Sequence, residues 1–177
     1  MTIEFEAWPK ISRTNPLLVT ITEKINGTNA CVAINENTEE IVAQSRNRII
    51  TPDNDNYGFA KWVETNKEDL YINLGDGHHF GEWAGLGIQK NPNKLDRKKF
   101  FLFNTYRWGV DRPKCCDVVP ILYTGELGAN TVEVLLEGLV KEGSMIGGEA
   151  EGVVVYSHAH NSYTKCTIGC NEGKWGK

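Results

Sequence analysis

Glu23-Lys24-Ile25-Asn26-Gly27-Thr28-Asn29 sets a lysine and a glycine between two apolar, β-branched runs, Leu17 to Ile21 and Ala30 to Ile34. A lysine at a strand end facing a glycine turn is a candidate nucleophile. An amine that attacks phosphorus must be neutral, whereas a free lysine, with a pKa of about 10.4, is protonated at neutral pH. Its site must lower that value through neighbouring cations, a bound metal or partial desolvation. Gly27 would let the turn approach a nucleotide with no Cβ in the way. The bland alternative is a hairpin turn with a solvated lysine, because a Lys-x-x-Gly spacing arises by chance in many chains.

Four further segments follow in order: Ser45-Arg46-Asn47-Arg48, Phe80-Gly81-Glu82-Trp83-Ala84-Gly85, Phe100-Phe101-Leu102-Phe103 and Glu151-Gly152-Val153-Val154-Val155-Tyr156. Together with Lys24 they resemble the successive motifs of the covalent nucleotidyltransferases, the superfamily of ATP-dependent DNA ligases, RNA ligases and mRNA capping enzymes. Glu-Lys-Ile-Asn-Gly-Thr-Asn and Phe-Gly-Glu-Trp-Ala-Gly-Leu-Gly-Ile-Gln-Lys are most similar to RNA ligases of the phage and kinetoplastid-editing type. The likeness runs from Thr22 to about Lys165.

The resemblance implies a role for each position. Lys24 would attack the α-phosphorus of ATP, expel pyrophosphate and carry AMP as a phosphoramidate. The Glu23 backbone would lie near the adenine edge. Asn29 would hydrogen-bond a phosphate oxygen or an attacking hydroxyl, or else cap the following turn. Arg46 would set a guanidinium fork against the nucleotide or the incoming strand end, with Arg48 as a second candidate. Glu82 would accept from the ribose hydroxyls and Phe103 would stack on the purine. Glu151 would bind the catalytic metal, directly or through water, with Mg2+ the expected ion because it prefers oxygen ligands and retains waters beside phosphates. Lys165 would grip the α-phosphate. The family's second C-terminal lysine is missing from its usual place, where Thr167 stands, and Lys174 or Lys177 would have to substitute.

The 177 residues suit one domain with one core. A net charge of −4 supplies no global basic field for a polynucleotide. A local run, Lys90, Lys94, Arg97, Lys98 and Lys99, is either a phosphate-binding stripe or a solvated loop face. Five cysteines, an odd number, and an N-terminus without a charged-then-apolar leader read as a reduced, cytoplasmic protein. No run approaches the ~20 apolar residues that span a bilayer. His158, His160, Cys166 and Cys170 offer four zinc ligands in principle, but at neither finger nor ribbon spacing. Adjacent His78 and His79 read as surface residues or helpers beside phosphate.

Strands are expected at Leu17 to Ile21, Ala30 to Ile34, Glu40 to Gln44, His79 to Trp83, Phe100 to Tyr106 and Gly152 to Tyr156. Alternation puts Phe101 and Phe103 on one face and Phe100 on the other. Helices are expected over Asn56 to Asn66 and from Asn130 to near Gly143, the second opened by an Asn130/Glu133 capping pair and burying Val132, Leu135, Leu136 and Leu139. Pro113 to Asp117 reads as an exposed insertion. The fold implied by the resemblance is α+β, two mainly antiparallel sheets enclosing a nucleotide cleft with a few outer helices, a single adenylylating domain without a C-terminal accessory domain. The activity implied is ATP-dependent joining of RNA ends, 5′-phosphate to 3′-hydroxyl, alone or with a partner protein that grips the substrate. DNA ligation by the same chemistry, and a noncatalytic nucleotide or RNA-end binder, are the alternatives.

Overall fold

The structure, a computed structural model, describes residues 15–169. Among these residues ten strands make two sheets, accompanied by four helices. The first sheet takes β1 (Leu18–Glu23), β8 (Ile121–Glu126), β9 (Gly152–Ser157) and β10 (Ser162–Thr167) in the order β10-β9-β1-β8. The second takes β2 (Gly27–Asn35), β3 (Glu40–Ser45), β4 (Ile49–Ile50), β5 (Gly77–Ala84), β6 (Lys99–Leu102) and β7 (Cys116–Val118) in the order β4-β3-β2-β5-β6-β7. Every pairing is antiparallel except β6 with β7. This is the α+β, two-sheet architecture expected from the motifs.

Each sheet buries one face under helices, as period-two alternation requires. Val19, Ile21, Val153 and Val155 of the first sheet pack with Leu136 and Leu139 of α4 (Thr131–Glu142), and Val132 and Leu135 join them. The four-residue stripe expected on this helix is therefore its packing face. Ala30, Val32, Ile34, Trp83, Phe100 and Leu102 of the second sheet pack with Phe59, Ala60 and Val63 of α1 (Phe59–Thr65) and with Leu70 and Leu74 of α2 (Lys67–Leu74). A third cluster, Ile25, Ala84, Leu95, Phe101 and Val119, lies where the chain crosses between sheets: Ile25 links β1 to β2 and Val119 links β7 to β8. Phe101 thus faces away from Phe100, as alternation predicts.

Several local expectations need correction. The strand from Phe100 stops at Leu102, and the chain turns into the short helix α3 (Thr105–Trp108), because Asn104 accepts from the Arg107 N–H and starts a helical turn. Pro113 to Asp117 is no exposed insertion: Pro113 and Cys116 are buried and Cys116 pairs with Phe100. Asn130 stands at the α4 N-cap, but its side chain makes no capping bond. Its ψ of 8° departs from the extended conformation that aims a cap at the first turn. The helix expected from Asn56 begins at Phe59, because the Asp55 carboxylate accepts from the Ala60 and Lys61 N–H groups. No helix among the described residues is long and apolar enough to cross a membrane.

Candidate active site

Lys24 is fixed by its neighbours. Glu23 and Ile25 are buried on either side of it, so alternation turns the lysine the other way, onto the face that carries Thr20 and Thr22. Its N–H donates to the Gly152 carbonyl and the Glu23 N–H donates to Pro120, which hold the strand end between β9 and the start of β8. Lys24 Nζ meets Glu151 Oε1 at 2.5 Å, with the two side chains 21% and 26% exposed. Asn26 Nδ2 donates to the other Glu151 oxygen at 3.1 Å. The lysine is largely withdrawn from solvent, and among the described residues its ion-pair partner is a carboxylate and not a cation.

Glu82 comes from the other sheet. It pairs across the strands with Asn29 on one side and Phe101 on the other, and Asn29 Nδ2 donates to Glu82 Oε2 at 3.1 Å. Asn29 therefore sits inside β2 and caps no turn. Burial pushes the Glu82 carboxyl up to about 7; the Lys24 charge opposes this, the Glu151 charge adds to it, and hydrogen bonds from Asn29 and the Gly27 N–H oppose it. Lys24, Glu82 and Glu151 are thus close enough to act on one another, although they come from just past β1, from β5 and from just before β9. Gly27 makes this approach possible: a Cβ there would lie 2.4 Å from the Trp83 carbonyl and 3.0 Å from Glu82 Cγ.

Phe103 lies just past β6, half-buried against the Ile25–Phe101 cluster, with its N–H bonded to the Phe80 carbonyl. Lys165 pairs with Val154, which pairs with Thr22, so all three share the Lys24 face of the first sheet. Thr167 pairs with Gly152, the residue bonded to the Lys24 N–H. A threonine therefore stands two strands across from Lys24, at the position where the motif pattern has its second lysine. Lys174 and Lys177 lie outside the described residues. Arg46 is exposed in the β3–β4 bend, one residue beyond Ser45, which pairs with Ala30. Arg48 is spent on the Asn54 and Asp55 carbonyls, at 2.8 and 3.3 Å, whereas Arg46 makes no such tie among the described residues.

Sequence reasoning missed the seam behind Lys24. The Glu23 side chain is 1% exposed and accepts from the Met145 N–H at 2.9 Å. Asn93 Nδ2 donates to Ser144 Oγ and to the Glu149 carbonyl. Three buried side-chain oxygens lack a partner among the described residues, Glu23 Oε1, Asn26 Oδ1 and Asn93 Oδ1, and all belong to this neighbourhood. Buried polar atoms in folded proteins are usually paired with protein groups or ordered water, so these three oxygens are open to a water or a ligand. No signal short of the fold joins position 93 to positions 144–149.

The zinc reading fares badly. His158 bonds Thr20 Oγ1, His160 bonds Ser157 Oγ, Cys170 lies outside the described residues, and no group of three metal-binding side chains occurs among those described. His79, expected at the surface, is buried in β5 against Trp108, bonded to the Gly75 carbonyl, and its pKa is lowered chiefly by burial. Burial also pushes the Cys31 thiol up to about 11, so it is no nucleophile at neutral pH.

A family model for RNA ligase matches residues 18–168. This chain belongs to the RNA ligase family. Solved structures of Naegleria gruberi RNA ligase share its fold. One variant with AMP and Mn is 21% identical over 86% of this chain and 50% of that one, with a TM-score of 0.62. A second variant with AMP and Mn is 22% identical over 90% and 57%, with a TM-score of 0.63. A variant with ATP and Mn is 22% identical over 86% and 49%, again at 0.63. The chain thus spans about half the length of these structures. A search of curated proteins finds no match.

Proposed function

We propose that the chain is an ATP-dependent RNA ligase core that works through a lysyl-AMP intermediate on Lys24. Lys24 Nζ forms a bond to the α-phosphorus of ATP as the bond to the bridging oxygen breaks and pyrophosphate leaves. The amine must shed a proton before it attacks, and water takes it, since the Lys24 side chain is 21% exposed. AMP then moves to an RNA 5′-phosphate, with the P–N bond breaking as a P–O bond forms. Attack by a 3′-hydroxyl seals the strand and releases AMP.

The other residues bind and orient. Glu82 accepts from the ribose hydroxyls, Phe103 covers the purine, the Glu23 backbone lies at the adenine edge, and Gly27 keeps the turn thin enough for the nucleotide. Asn29, Arg46 and Lys165 supply donors to phosphate. The residues fit a hard divalent cation of the water-rich kind: Glu151 and the unpartnered Asn26 Oδ1 are oxygen donors, and no three-ligand protein cage competes among the described residues. When bound, Mg2+ would neutralise phosphate charge, and Glu151 is the residue that would hold it. An odd number of cysteines, with the four described ones free, suits a reducing cytoplasm.

What carries this reading is the 2.5 Å contact between Lys24 and Glu151, both within electrostatic reach of Glu82, at the junction of two sheets. Incubation with α-labelled ATP and Mg2+ tests it. The expected result is a label that survives denaturation, is released by acid and is absent from Lys24→Ala. ATP binding without pyrophosphate release would instead identify a noncatalytic nucleotide binder.

A further inference from the structure

The segment Gly85–Lys98, between β5 and β6, is a loop built to hold its shape. Its ends meet closely: Gly85, at φ 125°, lies against the Arg97 carbonyl, where a Cβ would come within 2.2 Å. Three successive turns close by bonds from Ile88 to Gly85, Asn91 to Ile88 and Lys94 to Asn91. Gln89, Asn91 and Lys94 take positive φ of 49°, 45° and 52° without being glycine. Backbone held in this region persists only where its surroundings over-determine it. Here Ile88, Asn93 and Leu95 are buried, and Asn93 and Pro92 bond the 144–149 segment through Ser144 and Glu149.

With those residues inward, the loop's charges project outward. Lys98 donates to the Tyr57 carbonyl at 2.7 Å, and Lys99, the first residue of β6, pairs with Asp117 at 3.0 Å. Lys90, Lys94 and Arg97 are exposed and make no ion pair or side-chain hydrogen bond among the described residues. Asp96 is the loop's one carboxylate, in a protein whose net charge is −4. The basic run read from the sequence thus divides into two structural cations and three unpaired ones on a rigid frame that begins three residues after Glu82. Cations carried on a backbone that is already ordered gain affinity for a polyanion because less ordering remains when it binds.

We propose that Lys90, Lys94 and Arg97 form the docking surface for the phosphate backbone of the RNA strand. The inference rests on the RNA ligase reading and adds the part of the surface that carries the substrate. It predicts that the loop acts on polynucleotide and not on ATP.

The test compares the wild-type chain with Lys90→Ala/Lys94→Ala/Arg97→Ala and with the charge-retaining Lys90→Arg/Lys94→Arg/Arg97→Lys. Binding of a labelled, 5′-phosphorylated single-stranded RNA is measured across a salt series, alongside the rate and ATP KM of lysine adenylylation. Loss of three phosphate contacts should reduce the salt slope of log K by about 2. RNA affinity should fall at least tenfold at low salt, the charge-retaining variant should stay near wild type, and adenylylation should be unchanged. An unaltered RNA salt slope in the alanine variant overturns the proposal. So does a raised ATP KM with unaltered RNA binding, which would assign the cations to the triphosphate. If the wild-type chain forms no adduct, the ligase reading fails by itself, and the RNA salt slopes still decide the role of the loop.

Discussion

At the scale of the residue, the site is a balance of two carboxylates around one amine. Lys24 stood out in the sequence as a candidate nucleophile from its place between two β-branched runs, with Glu82 and Glu151 as candidate partners from the order of motifs, and the structure brings the three together. The immediate partner of Lys24 was not legible, because Glu151 reaches it only through the β1–β9 pairing. Burial and the Glu151 charge put a cost on ionised Glu82, whose carboxyl is raised from 4.5 to about 7. In the unfolded chain that elevation is lost. Between these two pH values the folded protein binds more protons than the unfolded one, so this group makes stability fall as pH rises from about 4.5 to about 7, and it adds no slope beyond. Glu82→Gln should remove that contribution. Urea midpoints of wild type relative to the variant should decline across this window and level off above it; parallel pH profiles would contradict the assignment.

At the scale of the element, alternation served well wherever one face of a strand is buried. It placed Phe100 and Phe101 on opposite faces, and the helical stripe of α4 was equally clear. It failed where a side-chain cap or a distant partner decides: the Asn104 cap ends the aromatic strand, and parallel pairing of Phe100 with Cys116 leads the segment from Pro113 into the edge strand β7. β8 and β10, with half-exposed, mixed sequences, carry little pattern of their own and are ordered by pairing. Gly27 is the point where an element constrains the chemistry. Gly27→Ala would drive a methyl into the Trp83 carbonyl, a backbone atom that can yield only by parting β2 from β5. Such overpacking typically costs about 1–3 kcal/mol. Thermal denaturation should report a loss in that range, and the yield of the ATP adduct should drop; an alanine variant equal to wild type in both would show that the strands are looser than this geometry.

At the scale of the molecule, the two sheets are joined by more than the covalent crossings at Ile25 and Val119. The Asn93 side chain fastens the basic loop of the second sheet to the segment between α4 and β9, and the Glu23 side chain receives the Met145 N–H of that same segment. Asn93→Ala should therefore cost about 1–3 kcal/mol, the usual penalty for buried polar groups left unpaired. It should also raise hydrogen exchange at residues 144–149 more than in α1 or α2. Uniform change across both regions would mean that Asn93 contributes to global stability alone. None of this seam was readable beforehand, since buried asparagines look in sequence like the turn residues around them. The proposed chemistry runs through one covalent bond, between Lys24 Nζ and the adenylyl phosphorus. After reaction with ATP and Mg2+, peptide mass analysis of the intact chain should find one adenylyl group, carried on the peptide that contains Lys24 and labile to acid. An adenylyl group on any other residue, or none at all, would contradict it.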